Sequence, residues 1–300
     1  MSNSSGDKLL IFGCGFSGEA IAAKAAGNFT TIAGTTRDAA KADRIRNAGA
    51  ESLLFDGETL SPELLSALAG ATHLLISIAP NEAGDPVLNA LQALEAADAD
   101  LPSLRWIGYL STVGVYGDHG GASVDETIEP APVSKRSRQR LAAENAWRDF
   151  AEKHGLPLAI LRLSGIYGPG RNAFINIEKG TTRRLVKPGQ VFNRIHRDDI
   201  AAAALLAAQK KANGIFNITD DEPAPPQDVV TFAHKLAGVT PPPEIDFETA
   251  DLSPMARSFY GENKRVSNAK SKTELGLAYA YPDYRTALTR MWREKSWQPQ

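Results

Sequence analysis

Short apolar runs alternate with segments of helical apolar spacing through the first two thirds of the chain. The predicted strands are Lys8 to Phe12, Thr30 to Gly34, Ser52 to Asp56, Thr72 to Ala79, Arg105 to Ser111, Leu158 to Leu163 and Gly214 to Ile218. The predicted helices include Glu19 to Ala26, Pro62 to Ala69, Val87 to Ala97 and Arg138 to His154. Strands separated by helices indicate a parallel sheet with right-handed crossovers. The pattern therefore predicts an α/β fold with a doubly wound parallel sheet of the Rossmann type.

The regular alternation of strands and helices ends beyond Leu163, where proline-rich turns separate short elements. These turns are Pro188-Gly189, Pro223 to Pro226 and Pro241 to Pro243. We expect a dinucleotide-binding domain of residues 1–170 plus 194–222. A small, discontinuous C-terminal domain of substrate-binding type is expected at residues 171–193 plus 223–300, and its last helix can pack back on the core. Ligands of such folds lie at the carboxyl ends of the strands, so the smaller domain should close over that crevice.

A glycine-rich turn directly follows the first predicted strand. Gly13, Gly15 and Gly18 enclose Phe16 and Ser17, and a helical segment begins at once. The first glycine permits a tight turn, the second lets a pyrophosphate approach the backbone, and the third lets the helix pack on the strand. Because strand, turn and helix occur together, the turn predicts a dinucleotide cofactor rather than an ornamental loop.

The end of the second predicted strand bears on the choice of cofactor. An acidic residue usually stands here to bind the ribose of NAD, but this chain has Thr36 and Arg37, with Asp38 one step further on. An Arg can pair with the 2′-phosphate of NADP, which a carboxylate would repel. The sequence therefore favours NADP over NAD, with a solvated Arg37 as the alternative. Ser77, near the end of the fourth predicted strand, is also assigned to the cofactor site.

Composition excludes several classes of partner. The chain has 300 residues, 43% of them apolar and 23% charged, and its net charge is −2, so no overall field attracts nucleic acid. Its longest apolar stretch, Ile200 to Ala208, is too short to cross a bilayer. The polar start, MSNSSGDK, does not resemble a signal peptide. We therefore predict a cytoplasmic protein that binds a small-molecule substrate and neither nucleic acid nor a membrane.

The sequence offers little evidence for cysteine or metal chemistry. The chain has one cysteine, Cys14, so it has no internal disulfide framework. Cys14 begins the predicted helix, where a lowered pKa would make it redox-sensitive, but a small residue that lines the cofactor pocket is the favoured interpretation. No Cys, His or acidic cluster has the spacing of metal ligands, so no metal site is predicted.

Four further motifs resemble those of the extended short-chain dehydrogenases/reductases, the superfamily of sugar-nucleotide epimerases, dehydratases and reductases. They are LSTVGVYG at residues 110–117, RLSGIYGPG at residues 162–170, RIHRDDI at residues 194–200, and Leu275-Gly276-Leu277 followed by Tyr281-Pro282. The resemblance covers nearly the whole chain. It implies that Asp56 contacts the adenine, and members often form homodimers through a four-helix interface.

The resemblance also implies a catalytic site, from which this chain departs. Family chemistry uses a Ser or Thr that binds the substrate oxygen, a Tyr that exchanges its proton and a Lys four residues later. Thr112 matches the first of these. With Glu144 setting the register, Arg136 stands at the Tyr position and Arg140 at the Lys position. Arginine does not deprotonate in proteins, so Arg136 cannot shuttle the proton, although Arg140 can still serve the ribose.

The chain is therefore similar to the atypical short-chain dehydrogenases, in particular a bacterial subgroup without the catalytic Tyr. The expectation is an NADP-dependent oxidoreductase or epimerase/dehydratase-like enzyme with a small polar substrate, for example one derived from a sugar or nucleotide. Tyr116 and Tyr167 are candidate substitute proton donors, with packed aromatic residues as the alternative. His196 is expected to cap a helix. The rival function is a non-catalytic NADP-binding sensor or regulatory protein.

Overall fold

The structure is a computed structural model that describes residues 6–97, 101 and 103–299, without the side chains of residues 254–256. Most of the polar N-terminal segment, from which the cytoplasmic prediction was made, lies outside these residues. The strands are β1 (Lys8–Phe12), β2 (Thr31–Thr36), β3 (Glu51–Leu54), β4 (His73–Ile76), β5 (Trp106–Thr112), β6 (Ser123–Val124), β7 (Leu158–Leu163), β8 (Gly165–Tyr167), β9 (Arg184–Val186), β10 (Arg194–His196), β11 (Gly214–Ile218), β12 (Glu244–Asp246) and β13 (Arg265–Val266).

Seven of these strands form one sheet in the order β11-β7-β5-β4-β1-β2-β3. Every neighbouring pair in it is parallel. The order reverses direction on either side of β1, which is the doubly wound arrangement. The predicted fold class is therefore confirmed. The ends of some strands differ from the prediction: β2 continues to Thr36, which places Arg37 immediately after the strand.

Of the four helices predicted from apolar spacing, three begin earlier in the structure than predicted, and one begins at its predicted residue, Pro62. The helices are α1 (Phe16–Ala25), α2 (Ala42–Asn47), α3 (Pro62–Gly70), α4 (Pro86–Ala96), α5 (Lys135–Lys153), α6 (Ala173–Glu178), α7 (Arg197–Lys210), α8 (Pro226–Ala237), α9 (Pro254–Phe259), α10 (Ala269–Thr273) and α11 (Tyr284–Arg293). The first turn of α5 is polar, so apolar spacing alone did not reveal it. Its start is set instead by Ser134, whose hydroxyl accepts a hydrogen bond from the amide of Ser137.

Two apolar cores cover the two faces of the sheet. On one face, α1 and α7 pack against β1 and β7, and the alanine-rich α7 lets these two helices approach each other closely. On the other face, α3, α4 and α5 bury Leu64, Leu91 and Trp147 against β1, β4 and β5. Both cores end below the carboxyl edge of the sheet. That edge is left to polar residues and carries the candidate site.

Short elements outside the seven-stranded sheet, most of them beyond β7, pair with one another. Three two-stranded parallel sheets pair β8 with β10, β9 with β12, and β6 with β13. A third apolar cluster joins α6, α8 and α11 around Phe174, Tyr284 and Met291. Of these elements, β9, β12, β13, α6, α8 and α11 fall within the residues predicted for the second domain, whereas β6, β8 and β10 fall within those predicted for the dinucleotide-binding domain. The boundaries of the second domain remain a prediction.

Candidate active site

The glycine-rich turn joins β1 to α1 in a conformation that fits the role assigned to each end glycine. Gly13 has φ +88°, and a Cβ there would lie 2.8 Å from Cγ1 of Ile78. Its amide donates a hydrogen bond to Oγ1 of Thr35 at 2.9 Å. A Cβ on Gly18 would lie 2.9 Å from the carbonyl oxygen of Gly13. Both positions therefore require glycine because of the backbone conformation or close packing.

Gly15 differs from the other two glycines of the turn. It is exposed at the amino end of α1, and a Cβ built on it would have no heavy atom within 4 Å. Glycine at this position is therefore not required by packing within the protein. The open space lies at a helix terminus whose free N–H groups attract anions, which is the place that a pyrophosphate would fill.

A groove of about 740 Å³ extends from this turn across the carboxyl ends of β2, β3 and β4. Six of the ten residues predicted to bind the cofactor line it: Gly13, Gly15, Thr36, Arg37, Asp56 and Ser77. Three more, Phe16, Ser17 and Gly18, form the first turn of α1, and the tenth, Arg140, lies on α5. We call this groove the glycine-turn groove.

Charged side chains stand at the β2 and β3 side of the glycine-turn groove. Asp38 accepts a hydrogen bond from the amide of Ala40 and lies 3.7 Å from Nζ of Lys41. Arg37 is exposed and forms no ion pair with the residues that the structure describes. Asp56 accepts hydrogen bonds from the amides of Thr59 and Glu58, which lower the pKa of its carboxyl group. A permanent cation thus stands at one end of the groove without an internal partner.

Cys14 lies inside the turn and is buried. Burial, reinforced by the negative charge of Glu19, raises the pKa of its thiol to about 12. Its side chain fills the space beside Gly34, where a Cβ would lie 2.7 Å from the Cβ of Cys14. A thiol with so high a pKa is not the reactive kind. The interpretation of Cys14 as a small packed residue is the one that this geometry supports.

The second part of the site lies at the carboxyl ends of β4 and β5, beneath the first two turns of α5, and we call it the α5 crest. Thr112 ends β5 and is half-buried, and its Oγ1 accepts a hydrogen bond from the amide of Gly114 at 3.1 Å. The hydroxyl donates to no described residue, so its proton is available for donation to a ligand. Gly114 lies against α5, because a Cβ there would be 2.8 Å from Oγ of Ser137.

Arg140 and Arg136 occupy successive turns of the same face of α5. Nη1 of Arg140 donates hydrogen bonds to the carbonyl oxygens of Leu110 at 3.0 Å and Ile78 at 3.4 Å, and to the hydroxyl of Tyr109 at 3.2 Å. Arg136 is exposed and makes no hydrogen bond or ion pair with any described residue. The crest therefore brings Thr112 and both arginines to the same edge of the sheet.

Tyr116 does not reach the crevice, which corrects its assignment as a candidate catalytic residue. The side chain is fully buried, and its hydroxyl donates a hydrogen bond to Oδ1 of Asn217 at 2.8 Å. The guanidinium carbon of Arg162 lies 4.7 Å from the centre of its ring. Burial raises the pKa of the Tyr116 hydroxyl, which opposes its ionisation. This tyrosine is a packed aromatic residue with a satisfied hydroxyl.

A buried ion pair beneath the crest was missed by the sequence analysis. Arg162 donates two hydrogen bonds to Glu144, from Nε at 3.1 Å and from Nη2 at 2.7 Å, and both side chains are almost completely buried. The Ser111 hydroxyl donates to the same carboxylate. The signal was present, because Arg162 is the one charged residue of the apolar strand LAILRL. The ion pair ties α5, which carries Arg136 and Arg140, to β5 and β7.

Three further residues, His196, Tyr167 and Asp220, carry polar groups that are largely buried. His196 caps α7, accepting a hydrogen bond from the amide of Asp198, and burial lowers its pKa to about 4. Its ring stacks on Tyr281 with centres 3.8 Å apart. Burial also raises the pKa of Tyr167 and raises that of Asp220 to about 8. The capping role expected for His196 is the one the structure shows.

Comparison with known proteins assigns the class. Residues 9–219 match the model of the NAD dependent epimerase/dehydratase family, and the chain belongs to this family. It is 31% identical to Protein YeeZ of Escherichia coli over 292 residues, which span 92% of this chain and 97% of that protein. The resemblance to the short-chain dehydrogenase/reductase superfamily and the dependence on NAD(P) are therefore confirmed at the level of the family.

Solved structures agree with this assignment. A conserved protein of unknown function from Silicibacter pomeroyi shares 46% identity, with a TM-score of 0.86 over 96% of this chain and 99% of that one. The dTDP-glucose 4,6-dehydratase of Bacillus anthracis in complex with NAD has a TM-score of 0.75 at 18% identity, covering 97% and 98% of the two chains, so it shows the shared fold. Within the described residues, no helix is long and apolar enough to cross a membrane, and no His, Cys, Asp and Glu side chains cluster as metal ligands.

Proposed function

We propose that this chain is an NADP(H)-dependent oxidoreductase or epimerase/dehydratase-like enzyme that acts on a small polar substrate. The observation that carries the proposal is the glycine-turn groove. Residues far apart in sequence, from Gly13 to Ser77, line one continuous volume of about 740 Å³. Its turn end has the open space at Gly15 that suits a pyrophosphate, and its other end has an unpaired arginine.

Arg37 supports NADP as the preferred cofactor. The guanidinium is exposed beside Thr36 at the end of β2, where the ribose of the adenosine would lie. Asp38, the nearest acid in sequence, is held by the amide of Ala40 and pairs with Lys41. The charge of Arg37 is therefore left for a 2′-phosphate, to which it can donate two parallel hydrogen bonds.

The α5 crest supports redox chemistry at a carbon atom that bears an oxygen. The bound nicotinamide would supply or accept the hydride at this carbon. Thr112 would donate its free hydroxyl proton as a hydrogen bond to the substrate oxygen, since Gly114 already donates to its Oγ1. Arg140 would present its remaining donors to the cofactor ribose, and Arg136 would clamp the substrate electrostatically. The proton must reach the oxygen from a group other than Arg136 or Tyr116.

The placement of Tyr116 also favours a second candidate, a non-catalytic NADP-binding sensor. Its hydroxyl is bonded to Asn217 within the core, so it is not a substitute for the missing catalytic Tyr. The Tyr167 hydroxyl is buried too, and its raised pKa opposes proton loss. A protein that binds NADP and lacks any proton shuttle would report cofactor state without turnover.

A substrate screen combined with one substitution separates the two candidates. Aldehydes, ketones and sugar nucleotides are offered to the purified protein while NADPH absorbance is followed. With any substrate found, Thr112→Val should lower kcat by about 10-fold or more and leave the affinity for NADPH unchanged, because the lost bond belongs to the reacting oxygen. Thr127→Val, at an exposed loop position, is the control.

The outcomes of this experiment are distinct. No turnover across the panel, despite tight binding of NADPH, would favour the sensor over the enzyme. Full turnover by the Thr112 variant would show that another group binds the substrate oxygen.

A further inference from the structure

We propose that the ligand of the α5 crest is an anion, and that Arg136 binds its carboxylate or phosphate group. This inference deepens the proposed function, because it names the chemical class of the substrate. It depends on where Arg136 lies, on what its neighbouring cations already bind, and on the lack of an ion pair between Arg136 and any carboxylate among the described residues.

The first turn of α5 lies directly over the end of β5. Ser137 is buried against Gly114, two residues beyond Thr112. One turn further along the helix, Arg140 reaches the carbonyl oxygens that end β4 and β5. Arg136 precedes Arg140 by four residues, so the two side chains leave α5 on the same face. Arg136 therefore leaves α5 on the same face as Arg140, whose guanidinium reaches the carbonyl oxygen of Leu110, two residues before Thr112.

The four cations of this helix start differ in what they bind. Lys135 pairs with Glu82, Arg138 donates to the carbonyl oxygen of Val133 at 2.7 Å, and Arg140 donates to the strand ends. Arg136 alone among them has no hydrogen bond or ion pair with a residue in the described part of the chain. Its five donors are all available to a ligand.

The acids around the crest leave this charge uncompensated. Glu82 is taken by Lys135, and Glu144 is buried in its ion pair with Arg162. Asp85 is buried at the start of α4, where it accepts hydrogen bonds from the amides of Val87 and Leu88, and burial raises the pKa of its carboxyl group. The local potential is therefore positive, and it favours an anionic ligand over a neutral one.

The chemistry of the Arg136 guanidinium also favours an anionic ligand over a neutral one. A guanidinium is always charged and presents paired N–H groups that match the two oxygens of a carboxylate or phosphate. A sugar hydroxyl offers one acceptor and no charge, so it gains much less from such a partner. The cation at this position therefore acts in binding, through a permanent positive charge that a proton-shuttling residue would lack.

Matched ligand pairs test this inference by binding. The first pair is 4-carboxybenzaldehyde and its methyl ester, and the second is glyceraldehyde 3-phosphate and glyceraldehyde. Each is titrated calorimetrically into the protein, both alone and saturated with NADP⁺. We expect at least one anion to bind about 10-fold or more tightly than its neutral partner. The two pairs distinguish a carboxylate from a phosphate.

Variants of the arginines complete the experiment. Arg136→Ala should remove the preference for the anion and Arg136→Lys should retain part of it, whereas Arg138→Ala, on the same helix turn, should behave as the wild type. Equal binding of anion and neutral partner, or equal effects of the Arg136 and Arg138 variants, would overturn the inference. Failure of NADPH to bind would refute the proposed function separately, because the titrations without cofactor still measure the anion preference.

Discussion

The glycine-turn groove and the α5 crest share one edge of the sheet but are built from different parts of the chain. The groove presents backbone, with open space at Gly15 and strand ends at Thr36 and Ser77. The crest presents side chains, above all Thr112 and Arg136 on Ser- and Arg-rich segments. A backbone site is preserved wherever its glycines are preserved, whereas a side-chain site changes with each substitution. The sequence predicts that this chain retains the family's glycine pattern in the groove and departs from the family's Tyr and Lys pattern at the crest.

The largest effect is expected from a substitution that abolishes cofactor binding in the glycine-turn groove and leaves the fold unchanged. Gly15→Val should abolish binding of both NADPH and NADH, because the side chain would enter the space that suits a pyrophosphate. Gly15 has a negative φ and no neighbour within 4 Å of a Cβ, so the variant should fold as the wild type does. Calorimetric titration measures binding and circular dichroism checks the fold. A natively folded variant that still bound cofactor would place the cofactor elsewhere.

The crest, in contrast, should be sensitive to changes in the buried ion pair that holds it. Glu144→Ala leaves the Arg162 charge buried without its partner and should lower the free energy of unfolding by about 3–5 kcal/mol. Arg148→Ala removes only an exposed cation that lies 3.6 Å from Glu144, and should cost about 1 kcal/mol or less. Urea denaturation compares the two. Similar losses would mean that the pair does not anchor α5.

A pH-dependent effect is expected at Asp220, two residues after β11. Burial raises the pKa of its carboxyl group from 3.8 to about 8, against the opposing attraction of Arg194, while Asp221 and Asp283 raise it further. The folded state therefore holds a proton that the unfolded state releases, and this contribution to stability is lost as the pH rises from about 4 to about 8. Asp220→Asn removes the titration.

The Tm of the wild type, relative to that of the Asp220→Asn variant, should accordingly fall as the pH increases across this range. Thermal unfolding followed at several pH values measures the difference. A constant difference between the two proteins would show that Asp220 does not titrate as its burial indicates.

The contrast between groove and crest also explains how much the sequence could predict. Alternating strands and helices predicted all seven strands of the parallel sheet, and glycine spacing predicted the turn, because both depend on backbone geometry that local sequence determines. The end of α5 at Lys153 was close to its prediction, whereas its polar start at Lys135 was not. Apolar spacing cannot reveal a helical turn that faces a crevice, because the side chains of such a turn are polar.

Side-chain partners across distant segments were beyond the sequence. Tyr116 was a candidate substitute proton donor in the crevice, but the partner of its hydroxyl, Asn217, comes from β11 about a hundred residues later. The pairing of Glu144 with Arg162 likewise joins a helix to a strand that lies beneath it. Such contacts depend on packing between layers. The apolar strand around Arg162 indicates that this charge is buried, but no local pattern identifies its partner.

The central claim is that Arg37 gives the glycine-turn groove a preference for NADP, and cofactor titration tests it most directly. The wild type should bind NADPH more tightly than NADH, and Arg37→Ala should erase most of a difference of about 1.5–3 kcal/mol while leaving the affinity for NADH unchanged. Arg46→Ala, an exposed arginine that pairs with Asp43 and does not line the groove, is the control. Equal affinities of the wild type for the two cofactors would contradict the claim.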